Sequence, residues 1–368
     1  MMVRAAFWTR PGEYGLHSSA KGVVVRVAAV LLVVLALGAP PAFAQTSVQA
    51  APATHAPDPA SPPRPQQTPV FRSGAALVAL NVTVLDNAAH YVSGLQSTDF
   101  AVYEDGVRQD VRFFQADKMP VDLIVLLDTS ASMTDKMDVV HEAASGFLKT
   151  LRDGDRGAVV GFSDTVTVLQ PLTNDRSALQ RAIGTTQAHG GTSLHNAVYI
   201  SLKQFGRAAR ADADVRRQAI VVLSDGEDTS SLVTFDDVLA LARQMGVNVY
   251  TVALQSREAA RRLADDGGRR YFTESDYAMQ TLARETGAQA FFPGPAGLKS
   301  VYASIATELA NQYSIGYVPA NPGADGRFRK VVVQVITRPE LRPRTRLGYT
   351  TSGASSPDPS PSLSGSHR

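Results

Sequence analysis

Hydroxyl and carboxylate side chains are concentrated at the ends of hydrophobic runs in this sequence. Asp128, Ser130 and Ser132 follow the run VDLIVLL, and their alternate spacing lets all three side chains face one point. Thr192 lies in a Gly-Gly-Thr-Ser segment before a predicted helix, and Asp225 follows the run QAIVVLS. Together these residues supply two carboxylates and three hydroxyls. Such hard oxygen donors suit Mg²⁺, Mn²⁺ or Ca²⁺ better than Zn²⁺ or Cu²⁺.

The same segments could instead form a helix cap or a phosphate-binding loop. Asp128, Ser130 and Ser132 alone would also fit a helix N-cap and a polar turn, because Ser and Asp favour both positions. Gly190-Gly191 could suggest a phosphate loop, but neither G-x-x-x-x-G-K-[ST] nor G-x-G-x-x-G occurs in the sequence. We therefore expect no nucleotide site. Neutral hydroxyl ligands leave a divalent ion short of negative charge, so an open coordination position would attract an acidic side chain of a protein partner.

The elements that must position these residues alternate between strand and helix patterns. Strand candidates are the runs VDLIVLLD, GAVVGFSDTVTVL, QAIVVLSDG, VNVYTVAL and AQAFFP. Helical patterns cover residues 137–151, 176–185, 193–205, 235–245 and 277–286. This alternation predicts an α/β fold with a doubly wound, mostly parallel sheet. Ligands of such sheets bind at the carboxyl ends of the strands, which is where the three polar loops fall.

Shorter β-rich segments flank this domain on both sides. Before it, LVALNVTVLD alternates as a half-buried strand does, and DFAVYEDGVRQDVRFFQ predicts a hairpin with Asp105-Gly106 as its turn. After it, a helix over 298–312 precedes the strand-like pieces YSIGYVP, RFRKVVVQVI and TRLGYTT. The predicted domains are a β-rich segment (71–117), the α/β domain (118–296) and a C-terminal helix with strands (297–350). Whether the two β segments pair stays open at this point.

The quoted loops resemble a known site. D-T-S-A-S-M, G-G-T-S-L and L-S-D-G-E-D, in this order on alternating strands and helices, are similar to the metal-ion-dependent adhesion site of von Willebrand factor type A (VWA) domains. N-V-T-V-L-D, D-F-A-V-Y-E-D-G, Q-Y-S-I-G-Y-V-P and R-L-G-Y further resemble the VWFA-related Acidobacterial domain proteins of bacteria. The resemblance implies a bound divalent cation, Mg²⁺ first and Mn²⁺ or Ca²⁺ as alternatives. It implies the ligands Asp128, Ser130, Ser132, Thr192 and Asp225.

Two positions depart from the pattern of that family. Ala131 stands where many relatives have Gly, which the loop should tolerate. Asn196 stands where an Asp often follows, and we expect this outer position to lower the affinity for the ion without abolishing the site. Glu227 and Asp228 are close enough in sequence to act on the ion through water, although the family does not make them direct ligands.

The N-terminus predicts export. Lys21 and Arg26 precede an apolar run over 27–37, and Ala42-Phe43-Ala44 forms a small-x-small cleavage pattern. The run is shorter than the ~20 residues that span a bilayer, which favours a cleaved signal peptide over residues 1–44. An uncleaved anchor, the only contact with a membrane that we expect, is the alternative. The exported chain would be periplasmic or secreted.

Composition narrows the remaining functional classes. Residues 45–70 are rich in Pro and predict a disordered linker, and residues 351–368 predict a disordered tail. The chain has 36 basic and 34 acidic residues without a dense basic run, so we expect no nucleic-acid partner. It has no cysteine, which excludes disulfides, thiolate ligands and cysteine nucleophiles.

These observations favour a non-enzymatic protein that binds a protein partner or mediates adhesion through a metal ion. One alternative is a structural component of an envelope assembly, in which the β segments make the contacts and the metal is incidental. A metal-dependent hydrolase is the weaker alternative, because only Glu227 or Asp228 could serve as its general base. Serine hydrolysis is disfavoured, since G-x-S-x-G is absent from the sequence.

Overall fold

The computed structural model describes residues 77–116, 119–211, 215–225, 227–255, 272–321, 323 and 325–351. The predicted signal peptide and linker lie outside the described residues, as does the predicted tail from residue 352 onward. Within the described ranges, no helix is long and apolar enough to cross a membrane.

A six-stranded, mostly parallel sheet forms the centre of the α/β domain, as the sequence predicts. Its strands are β5 (Val121–Asp128), β6 (Arg156–Phe162), β7 (Val166–Thr173), β8 (Arg217–Ser224), β9 (Asn248–Ala253) and β10 (Ala290–Phe291). They lie in the order β10-β9-β8-β5-β6-β7, and only β7 pairs in antiparallel fashion. All eight residues of β5 are buried, which fits a central strand covered on both faces.

Helices cover both faces of this sheet. They are α1 (Met137–Leu148), α2 (Arg176–Gly184), α3 (Leu194–Ala211), α4 (Phe235–Met245), α5 (Glu274–Glu285) and α6 (Leu298–Ala310). Apolar side chains of α1, α2 and α6 pack on one face, and those of α3, α4 and α5 pack on the other. Local sequence fixes several helix starts: Asp175 accepts hydrogen bonds from the first turn of α2, and Thr234 and Thr273 form capping boxes at α4 and α5.

The prediction of GAVVGFSDTVTVL as one strand is wrong. The segment folds back on itself as β6 and β7, which pair in antiparallel fashion, and the Ser163 N–H donates to the Thr165 carbonyl across the turn at 3.0 Å. Because residues on both sides of the short polar turn favour strands, composition alone did not separate them. The predicted strand TRLGYTT is confirmed only over Gly348–Thr350, and the preceding strand Arg342–Arg344, which belongs to the other sheet, was not predicted.

The flanking β segments pair with each other in two four-stranded sheets. The N-terminal segment supplies β1 (Val78–Leu85), β2 (Phe100–Glu104), β3 (Val107–Gln109) and β4 (Val111–Gln115), and the C-terminal segment supplies β11 (Tyr313–Tyr317), β12 (Phe328–Val335), β13 (Arg342–Arg344) and β14 (Gly348–Thr350). The sheet orders are β13-β1-β11-β4 and β14-β12-β2-β3. Strands from the two ends of the chain alternate in the first sheet, and in the second they meet where β12 pairs with β2. We call this unit the β-sandwich. Its inward side chains, Val82, Val102 and Ile315 among them, form one apolar cluster.

The predicted hairpin turn is confirmed. Asp105 and Gly106 have φ angles of 48° and 83°, the left-handed pair that a tight two-residue hairpin requires. The turn joins β2 and β3, which pair in antiparallel fashion.

A buried polar network joins the β-sandwich to the α/β domain. The Glu308 carboxylate, on α6, forms an ion pair of 2.5 Å with Arg344 of β13. It also accepts hydrogen bonds from the Tyr250 hydroxyl of β9 at 2.8 Å and the Thr83 hydroxyl of β1 at 3.3 Å. Glu308 is fully buried. Burial and the Glu308 charge raise the pKa of Tyr250 well above its usual value, so this hydroxyl keeps its proton and donates.

The β-sandwich contacts the edge of the central sheet at which its parallel strands begin. Arg217, the first residue of β8, donates to the carbonyls of Gln312 and Met119, at 3.4 and 2.9 Å. The Asn81 amide of β1 donates to Asn248, the first residue of β9. The opposite edge, where the strands end, carries the three polar loops. We call it the carboxyl edge.

Candidate metal site at the carboxyl edge

Asp128 forms the buried base of the candidate site. It is the last residue of β5 and is fully buried. Its Oδ1 accepts the Ser130 N–H at 2.8 Å, and its Oδ2 accepts the Ser224 hydroxyl at 2.5 Å. Burial raises the pKa of Asp128, while the hydrogen bonds from Ser130 and Ser224 act in the opposite direction. The carboxylate is therefore held in place by donors but lacks full charge compensation.

Ser130 and Ser132 extend this base toward the solvent. Their hydroxyl oxygens lie 2.9 Å apart, and Ser132 donates to Asp225 Oδ1 at 2.7 Å. Ser130 is buried and Ser132 is exposed. Four of the five predicted ligands thus form one hydrogen-bonded cluster. It is buried at Asp128 and Ser130 and exposed to solvent at Ser132.

The loop that carries Thr192, the fifth predicted ligand, is tied to the first loop through its backbone. The Ala131 N–H donates to the Gly190 carbonyl at 3.0 Å, and the His189 N–H donates to the Thr129 carbonyl at 2.7 Å, which tie the second loop to the first. Thr192 is buried, and its N–H donates to the Thr229 hydroxyl at 3.0 Å. The second loop is thereby also fixed to the third.

Glycine is required at one position of the second loop. Gly190 has a φ of +70°, a conformation that L side chains rarely adopt. A Cβ there would also collide with the Asp164 carboxylate, which accepts the Gly191 N–H at 2.8 Å. The Gly-Gly pair therefore serves this close approach of the loops.

A lysine ammonium lies inside the cluster. Lys136 ends the 3₁₀ turn Ala131–Lys136, and its ammonium contacts Asp225 Oδ2 and donates to the Ser132 carbonyl at 3.2 Å. The side chains of Lys136 and Asp225 are only 12% and 2% exposed. Burial lowers the pKa of Lys136, and the charges of Asp128 and Asp135 oppose that effect. The cluster thus holds a positive charge against one of its predicted ligands.

Two residues of the site were missed by the sequence interpretation. Ser224 donates to Asp128. It could have been found from the sequence, because its hydroxyl group directly precedes the predicted ligand Asp225. Lys136 lies eight residues after Asp128, beyond the loop motif, and nothing in its sequence context marks it.

The outer polar residues fix the loops in place. The Asp228 carboxylate accepts the His195 N–H at 2.8 Å and the Ser231 N–H at 3.0 Å. The Asn196 side-chain oxygen accepts the N–H groups of Leu232 and Val233, both at 3.1 Å. Asp228 and Asn196 therefore connect the start of α3 with the third loop, while Glu227 is exposed.

The donor set fits a hard divalent cation. Among the described residues, no group of three or more His, Cys, Asp or Glu side chains could hold a metal ion. A site here would therefore depend on hydroxyl ligands beside Asp128 and Asp225. The ammonium of Lys136 shows that the position next to Asp225 accommodates a cation. Oxygen donors of this type are those that Mg²⁺, Mn²⁺ and Ca²⁺ prefer.

Fold and loops together define a doubly wound α/β domain with an oxygen-lined cluster at its carboxyl edge. Residues 122–285 match the family model of the von Willebrand factor type A domain, and this part of the chain is a VWA domain. The finer likeness to the Acidobacterial group stays a prediction.

Known proteins resemble parts of the chain. A UPF0353 protein of Mycolicibacterium paratuberculosis is 27% identical over 230 residues, which cover 58% of this chain and 67% of that protein. A protein of Borreliella burgdorferi is 24% identical over 147 residues, 37% of this chain, and the match spans only 41% of that relative's length.

Solved structures of VWA domains also align with the chain. A von Willebrand factor type A protein from Catenulispora acidiphila has a TM-score of 0.42 and 15% identity, covering 77% of this chain and 75% of its own. The vWF domain of the type V pili tip protein Mfa5 from Porphyromonas gingivalis has a TM-score of 0.40 and 13% identity, covering 53% of this chain and 96% of its own.

Proposed function

We propose that the chain is an exported, non-enzymatic protein whose VWA domain binds a divalent cation and, through it, an acidic side chain of a protein partner. The ion would be Mg²⁺ first, with Mn²⁺ or Ca²⁺ as alternatives. Asp128, Ser130, Ser132, Thr192 and Asp225 would hold it, directly or through water. One observation carries the proposal: Asp128, Ser130, Ser132 and Asp225 form a single hydrogen-bonded cluster at the carboxyl edge.

Access to the cluster supports a role in binding partners. Ser132 is exposed, whereas Asp128 and Ser130 below it are buried, so an ion held by them would face the solvent on one side. The β-sandwich contacts the opposite edge of the sheet through Arg217 and Asn248. A partner can therefore approach the carboxyl edge without meeting the β-sandwich.

The surroundings of the cluster favour binding over catalysis. A metal hydrolase needs a general base beside the ion. Of the two candidates, Asp228 already accepts two backbone N–H groups that fix the loops, and the side chain of Glu227 is exposed. Residual hydrolysis that disappears in Glu227→Gln would contradict this part of the proposal.

The proposed site is tested by titrating Mg²⁺ and Mn²⁺ into the protein and into Asp128→Ala, followed by calorimetry and thermal unfolding. An ion at one hundred times its Kd stabilises the folded state by about 2.7 kcal/mol, so the melting temperature should rise in the wild type only. Asp153→Asn is the matched control, because Asp153 is exposed and lies just before β6, at the edge of the sheet opposite the cluster. An equal metal response from wild type and Asp128→Ala would refute the site.

A second experiment separates adhesion through the ion from the structural alternative. Crosslinking in the native cell envelope, with and without EDTA, should show a captured partner that is lost on chelation and in Asp128→Ala. Capture that is insensitive to both would favour contacts made by the β-sandwich, with the metal incidental.

A further inference from the structure

Lys136 places a positive charge within the proposed metal site. It follows the first ligand loop directly, and its ammonium contacts the Asp225 carboxylate and the Ser132 carbonyl. Both contacts involve residues that the proposed function assigns to the ion. The ammonium and a divalent cation would therefore compete for the Asp225 carboxylate.

The charges in the cluster disfavour the simultaneous presence of the Lys136 ammonium and a divalent ion. Asp128 and Asp225 supply two negative charges, and the Lys136 side chain is only 12% exposed, so little water is present to screen a second cation. A divalent ion beside a retained ammonium would give three positive charges against two negative ones. Coulomb repulsion at such short range favours the release of one cation.

The structure of lysine makes that release feasible. Its charge sits at the end of a flexible four-carbon stem, so the ammonium can withdraw while the backbone of the 3₁₀ turn stays in place. Until then the ammonium compensates Asp225 and holds the third loop against the first. An arginine or a backbone donor would offer less freedom to leave.

We propose that Lys136 is a tethered cation that occupies the cluster in the metal-free protein and must be displaced by the divalent ion, so that it sets the metal affinity of the site. This inference rests on the proposed function. In it, Lys136 is an affinity-determining residue and the five oxygen residues remain the ligands. The metal-free site is thereby kept assembled, and it fills only when the ion outcompetes the ammonium.

The test is Mn²⁺ binding to the full chain, followed by calorimetry and by the electron paramagnetic resonance signal of free Mn²⁺. Lys136→Met removes the charge and keeps the length of the side chain, and Lys136→Gln keeps a donor for Asp225. Both should lower the Kd for Mn²⁺ at least tenfold. Lys149→Met, at an exposed lysine after α1, is the matched control and should bind as the wild type does.

Thermal unfolding gives a second readout that needs no binding constant. In EDTA, both Lys136 variants should melt below the wild type, because the Asp225 carboxylate loses its positively charged partner, and saturating Mg²⁺ should close that gap. Mn²⁺ binding that is present in the wild type, absent in Asp128→Ala and unchanged or weaker in both Lys136 variants would overturn the inference and leave the metal site standing. Mn²⁺ binding in none of these proteins would overturn both.

Discussion

The buried network around Glu308 makes a quantitative prediction about how the two parts of the fold are joined. Glu308→Gln removes the charge opposite Arg344 while keeping the shape of the side chain. The carboxylate accepts from Tyr250 and Thr83 as well as pairing with Arg344, whereas an amide has one acceptor oxygen and must turn its NH₂ group toward a donor.

The expected decrease in the free energy of unfolding follows from the burial of the Glu308–Arg344 ion pair. Removing one partner of a buried ion pair costs about 3–5 kcal/mol, because the other charge is left uncompensated. Arg344 is 29% exposed, so water screens part of its charge, and we expect the lower end, about 3 kcal/mol. Urea unfolding at neutral pH should show this decrease in the free energy of unfolding.

A second ion pair on α6 provides the control. Lys299 and Glu142 lie 2.6 Å apart, nearly the same distance as Glu308 and Arg344, but their side chains are 62% and 65% exposed. Glu142→Gln should therefore cost no more than about 1 kcal/mol. If Glu308→Gln destabilised the protein as little as Glu142→Gln does, burial would not govern this network and the reasoning would be refuted.

Two further predictions concern single positions. Ser224→Ala removes the donor that orients Asp128, and we expect at least about tenfold weaker Mn²⁺ binding by calorimetry; an unchanged Kd would show that this hydrogen bond does not serve the ion. Gly287→Ala should cost at least about 1–2 kcal/mol in urea unfolding, because Gly287 has a φ of +78° and a Cβ there would lie 2.5 Å from the Thr345 carbonyl carbon. A neutral Gly287→Ala would mean that the segment around Thr345 can move aside.

Much of the α/β domain could be predicted from local sequence. The runs VDLIVLLD and VNVYTVAL are apolar throughout because their strands are covered on both faces, and α4 begins and ends where its pattern does, at Phe235 and Met245. The ligand candidates could be found for the same reason: each directly follows a strand or precedes a helix, so the topology brings them to one edge.

What sequence could not supply depends on contacts between distant segments. The pairing of β1 with β11 joins Val78 to Tyr317 and leaves no local signature. The position of Lys136 likewise depends on the 3₁₀ turn that folds it back over Ser132. The reversal between β6 and β7 was missed because the intervening residues 163–165 are too few to disturb a strand pattern.

The interleaving of the β-sandwich has a consequence for how the protein reaches its folded state. Strand β1 lies between β13 and β11, so its neighbours are synthesised only after the entire α/β domain. Closing so long a loop is costly when the intervening chain is unfolded. Once the VWA domain has folded, Arg217 holds the chain on either side of it, at Met119 and Gln312. We therefore expect the VWA domain to fold first and to act as a template for the late strands. Until those strands are synthesised, β1 exposes unpaired edges, so this segment is where the partly folded chain is most open to pairing with another chain.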